Sequence, residues 1–125
     1  MPRVLVVDDD EDVREMLRQM LERQGYEVAT AADGKKGLAR YREDPADLIV
    51  LDIVMPEKEG LETIMELRRD DPGVKIIAIS GGGRIGPQSY IEVARALGAQ
   101  RTFAKPLDRK EFLAAVRDLA GPAQK

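Results

Sequence analysis

The chain has 125 residues, a net charge of −3 from 20 basic and 23 acidic side chains, and no Cys, His or Trp. That length suits one domain with its own core, and the composition excludes disulfides, thiolate or histidine metal sites, catalytic triads and phosphohistidine chemistry on this chain, while the mixed charge gives no footprint for direct nucleic-acid binding. The first apolar run stops at three acids after four residues, so it is no signal peptide, and no run approaches the roughly 20 residues of a membrane span; with the lack of Cys, this fits a cytoplasmic protein.

Strand and helix signals then alternate five times. A first strand is predicted over 3–7 and a helix over 11–24, where Val13, Met16, Leu17, Met20 and Leu21 share one face and Gly25 stops the helix. A second strand covers 27–31, and Asp33 caps a helix over 34–43 that ends at Asp44-Pro45. The third strand, 48–51, has no polar alternation, as expected of a central parallel strand covered on both faces. A turn from Pro56 to Gly60 leads into a helix over 61–69, then a fourth strand over 75–79. A glycine-rich loop from Gly81 to Gln88 precedes a helix over 89–97 with Tyr90, Val93, Ala94 and Leu97 on one face. A short strand over 101–103 and a helix over 109–119, opened by the capping-box pair Asp108 and Glu111, complete the series. Gly121-Pro122 ends that helix, so the domain is read as 1–121 and 122–125 as a frayed tail, with no linker or second domain.

Alternating strands and helices require parallel strands joined by right-handed crossovers. Five such units predict a doubly wound α/β fold, a five-stranded parallel sheet in the flavodoxin-like order 2-1-3-4-5 with five helices. Four strands end on chemically capable residues: Asp8-Asp9, Asp52, Ser80 and Lys105-Pro106. Ligands of open parallel sheets bind beyond the carboxyl ends of the strands, and strands one and three are neighbours at the switch point. The topology therefore gathers Asp8, Asp9 and Asp52 in one cleft.

Three carboxylates so placed repel one another, by roughly 1 kcal/mol per pair at 4 Å in water and about 4 kcal/mol at an effective dielectric of 20. A divalent cation relieves this, and oxygen-only ligands favour Mg²⁺, Mn²⁺ or Ca²⁺ over zinc. Mg²⁺ commonly combines one or two carboxylates with waters and a phosphate, so the cleft suits phosphoryl chemistry with Asp52 as nucleophile, Lys105 pairing with one phosphoryl oxygen and Ser80 donating to another. Taken singly, each residue has a plainer reading. Asp8-Asp9-Asp10 can serve a helix N-terminus, Asp52 and Ser80 can be turn residues, and a lone Lys is usually a solvated charge. Their convergence on one sheet edge favours the chemical reading.

These residues resemble the receiver domain of two-component response regulators. Val4 to Asp10 resembles that family's opening strand and acidic pair, Leu51 to Pro56 with Gly60 its phosphoacceptor strand and turn, Ile79-Ser80-Gly81 its strand-four hydroxyl site, and Lys105-Pro106 its strand-five lysine. The resemblance implies that Asp52 accepts phosphate from a histidine kinase or phosphotransfer protein. It implies Mg²⁺ held by Asp9 directly, Asp8 mainly through water, Asp52 and the Val54 backbone carbonyl, with Ser80 and Lys105 on the phosphoryl group and a cis bond before Pro106. Phosphorylation would then shift the face made by the fourth helix, fifth strand and last helix toward an unknown downstream protein, as a monomer or a phosphorylation-linked dimer. Such a switch catalyses only its own phosphorylation and dephosphorylation.

Two departures stand out. The family's switch aromatic falls at Thr102, and Phe103, one position later, points to the opposite face of the strand. The 81–88 loop is longer than usual and carries four Gly, so the loop rather than an aromatic rotamer is expected to carry the switch. Three other functions compete. A metal-dependent aspartyl phosphohydrolase of the haloacid-dehalogenase type needs an acid where Val54 stands, and a flavin carrier needs a phosphate loop where the acids stand. A receiver-like scaffold that is never phosphorylated has no use for the full acid set.

Overall fold

Short runs of Val, Ile and Leu form strands because β-branched side chains suit a pleated surface, and without polar alternation they are buried on both faces. The computed structural model describes residues 2–53, 59–80, 92, 94–105 and 107–122. The strands are β1 (Arg3–Val7), β2 (Glu27–Ala31), β3 (Leu48–Asp52), β4 (Ile76–Ser80) and β5 (Arg101–Ala104). All pair in parallel in the order β2-β1-β3-β4-β5, as the alternation predicts. Three helices, α1 (Glu11–Arg23), α2 (Gly34–Glu43) and α3 (Glu59–Asp70), alternate with the first four strands, and a C-terminal helix, Arg109–Ala120, follows β5. Helical residues at 92 and 94–96 mark the remaining helix, between β4 and β5.

Each strand divides its residues between two apolar layers. Leu5, Val7, Ile49, Leu51, Ile76 and Ala78 pack with Leu38, Ile64 and Ala94 on one side. Val4, Val6, Leu48, Val50, Ile77 and Ile79 pack with Leu17, Leu21, Phe112 and Val116 on the other. This two-sided burial holds the sheet rigid, so the strand ends form a fixed frame for side chains beyond them.

Local signals set the boundaries. The Asp10 side chain accepts from the N–H groups of Asp12 and Val13, Asp33 accepts from Lys36, and Asp108 from Glu111, so these three helix starts each have a capping acid. Gly25 follows α1 with φ of 97°, a conformation most residues resist. β3 and β4 both extend one residue further than the apolar runs suggest, taking in Asp52 and Ser80. Of the stripe predicted on α1, Leu17 and Leu21 are buried but Met16 is 47% exposed, because the helix's buried face is narrower than its apolar face. Met16 instead borders a groove with Met20, Arg23 and Arg109, between α1 and the C-terminal helix. The expected 81–88 loop, the carbonyl of Val54, the cis bond at Pro106 and most of the predicted tail lie outside the described residues.

Candidate functional site

Asp8 follows β1 and Asp52 is the last residue of β3, the strand beside it, where Val7 aligns with Leu51. Both carboxylates are buried, at 1% and 4% exposure, whereas Asp9 faces solvent. Oxygens of all three lie within 4.8 Å of one another. Lys105, just past β5, reaches both buried acids, its Nζ 3.3 Å from Asp52 Oδ2 and 3.5 Å from Asp8 Oδ2. Its backbone N–H donates to the Ser80 carbonyl at 2.9 Å, tying the end of β5 to that of β4. Ser80 is fully buried, one residue beyond the Asp52–Ile79 register pair. The sheet thus places Asp8, Asp9, Asp52, Ser80 and Lys105 on one rim, as the sequence predicts.

Asp10, the third acid of the run, has a different task as the cap of α1. The Asp8 carboxylate accepts from the Asp10 N–H at 2.9 Å, an Asx-type turn that starts the helix. Behind Asp52, Gly60 lets α3 approach closely: a Cβ there would lie 2.5 Å from the Ile53 Cα and 2.8 Å from the Asp52 carbonyl oxygen. Any side chain would push α3 away from the strand that carries Asp52.

The electrostatics favour a cation. Burial pushes the Asp8 carboxyl above the ordinary carboxylate range, the Asp10 N–H and Lys105 oppose this, and the neighbouring Asp9 charge adds to the rise. Burial pulls Lys105 down, but Asp52 and Asp8 together outweigh it and hold its ammonium above the usual lysine range. Among the described residues three carboxylates gather beside the Lys105 ammonium, and an all-oxygen donor set fits a hard divalent ion such as Mg²⁺. The residues present therefore fit the metal that the resemblance implies.

Thr102 and Phe103 lie on opposite faces of β5. Phe103 packs edge-on against Phe112 of the C-terminal helix, ring centres 5.9 Å apart. Thr102 meets the helix on the other side, its Oγ1 3.3 Å from Arg95 Nη2. The position expected to lack an aromatic is thus occupied by a polar link. Sequence reasoning missed Arg14, whose Nη1 donates to the Asp8 carbonyl at 2.8 Å; only its spacing from the acids along α1 hinted at a shared surface.

The sequence profile of the response regulator receiver domain matches residues 4–117. The chain is 39% identical over 114 residues to the chemotaxis protein CheY of Treponema pallidum, covering 89% of this chain and 77% of that one. It is 34% identical over 119 residues to CheY of Thermotoga maritima, covering 94% and 97% of the two. The crystal structure of the response regulator TrrA from Thermotoga maritima, in complex with Mg²⁺ and a beryllium fluoride, superposes with a TM-score of 0.83 at 32% identity, over 95% of this chain and 99% of that one.

Proposed function

Because this chain belongs to the response regulator receiver domain family, the CheY-like switches of two-component signalling, we propose that Asp52 is its phosphoacceptor. The observation that carries this reading is the convergence of Asp8, Asp9, Asp52 and Lys105 at one rim, with the two buried acids bridged by the ammonium. An Asp52 carboxylate oxygen attacks the phosphorus of a phosphohistidine on a kinase or phosphotransfer protein. The P–N bond breaks, the electron pair leaves with the imidazole, and an acyl phosphate forms. Lys105 then pairs with a phosphoryl oxygen, and the Ser80 hydroxyl donates to another.

Asp8, Asp9 and Asp52 would hold Mg²⁺, with the Val54 carbonyl. When bound, the ion supplies charge that neutralises the transferred oxygens. Hydrolysis of the acyl phosphate resets the switch. Residues 1–121 act as one receiver unit in this reading, the phosphorylated form acting by contact with another protein. A cytoplasmic setting belongs to the same reading; none of the described helices is long and apolar enough to cross a membrane.

The test is intact mass after incubation with acetyl phosphate and Mg²⁺. Wild type should gain one phosphoryl group and Asp52→Asn none. Equal labelling of the two proteins overturns the assignment of Asp52, and steady turnover of a small phosphoester would restore the phosphohydrolase.

A further inference from the structure

Every polar group of Asp8 is held. Its N–H donates to the Ala31 carbonyl at 3.2 Å, and its carboxylate accepts from the Asp10 N–H at 2.9 Å and from Lys105 at 3.5 Å. Its carbonyl accepts from the Arg14 guanidinium at 2.8 Å. That carbonyl belongs to the peptide group shared with Asp9, so fixing it fixes the plane from which Asp9 departs. Asp9 is exposed, and among the described residues its carboxylate accepts no hydrogen bond. Among the described residues, what restrains Asp9 is therefore the main chain it departs from.

Arg14 is also misplaced for its own helix. It is the fourth residue of α1, near the end where the macrodipole favours acids, and Glu11 and Asp12 occupy the first turn accordingly. A cation there is disfavoured by the dipole and compensated by the bond to Asp8. The residue is half-buried.

We propose that Arg14 is a positioning residue: its guanidinium clamps the Asp8–Asp9 peptide and so presents the Asp9 carboxylate to the divalent ion. This rests on the reading of the rim as a metal and phosphoryl site. It deepens that reading by naming what holds the exposed member of the three clustered acids.

The experiment is a Mg²⁺ titration followed by amide NMR shifts of Asp9 and Asp10 and by calorimetry, on wild type, Arg14→Met, Arg14→Lys and Asp9→Asn, with thermal unfolding recorded for each. Arg14→Met keeps the aliphatic stem and loses the clamp, and its Mg²⁺ Kd should rise roughly tenfold. Arg14→Lys, which keeps the charge and one donor group, should fall between. With acetyl phosphate, most of the effect should appear in the half-saturating Mg²⁺ concentration rather than in the rate at saturation. Binding in Arg14→Met equal to wild type overturns the proposal. So does tighter binding, which would make Arg14 only a repelling charge, or a loss that merely follows a lowered melting temperature. Wild type that binds no Mg²⁺, or Asp9→Asn that binds it as well as wild type, overturns the underlying reading instead.

Discussion

The two edges of the sheet both gather acids and use them differently. At the edge where the strands begin, the acids are largely exposed and pair at the surface. Arg3 pairs with Glu27 at 3.0 Å and with Asp44, and its N–H donates to Asp47 at 2.7 Å. Tyr41 donates to Asp71 at 2.6 Å, and Arg42 pairs with Asp70 at 2.7 Å. At the edge where the strands end, Asp8 and Asp52 converge on Lys105, and Asp9 lies beside them. Acid count alone therefore says little about function. What distinguishes the second edge is the burial of two neighbouring carboxylates, Asp8 and Asp52, a state that costs stability and that a cation relieves.

The sharpest way to break this contrast is to remove one charged group at each edge. Asp8→Asn should lower phosphorylation by acetyl phosphate at least tenfold, while stabilising the metal-free fold by ~1 kcal/mol in urea unfolding, because it removes a charge that burial disfavours. Loss of stability instead would mean that the rim acids are structural. Arg3→Met should do the reverse. It leaves Glu27 and Asp44 without their cation and costs about 1–2 kcal/mol, with phosphorylation unchanged.

A smaller effect is expected from Tyr41→Phe, about 1 kcal/mol of lost stability from the bond to Asp71. Burial pushes the Tyr41 phenol above its ordinary 10.0, and the Asp71 bond and charge reinforce this. Burial raises Tyr26 as well. The unfolded chain loses these protons near pH 10 while the folded chain keeps them. Stability should therefore be complete below that pH and fall as pH rises beyond it. Absorbance of phenolate should then appear together with unfolding for these two tyrosines, and Tyr41→Phe should flatten the alkaline decline.

Much of this was legible because strand ends announce themselves: an apolar run that stops on Asp52 or Ser80 gives both the strand and the rim residue. The capping acids Asp33 and Asp108 were equally plain, since helix starts need acceptors for their unpaired N–H groups. What stayed hidden depends on side chains reaching across elements. Arg14 reads as an ordinary solvated arginine until the turn after β1 brings the Asp8 carbonyl beneath it. Gln100 is similar. Its side chain accepts from the Ile76 N–H at 2.8 Å and donates to the Val74 carbonyl at 3.1 Å, acting as a piece of strand, and no periodicity marks it. Met16 misled for the opposite reason, since an apolar side chain at helical spacing does not report how wide the buried face is.

The absence of a side chain at Gly60 leaves no cushion between α3 and the main chain of Asp52 and Ile53. Most helices ride on their sheet through a layer of methyl groups that can rearrange and absorb small displacements. Here two backbones touch directly. Any shift of the strand tip at Asp52 would pass straight into the helix as a mechanical push, so α3 is coupled to that tip through main chain alone.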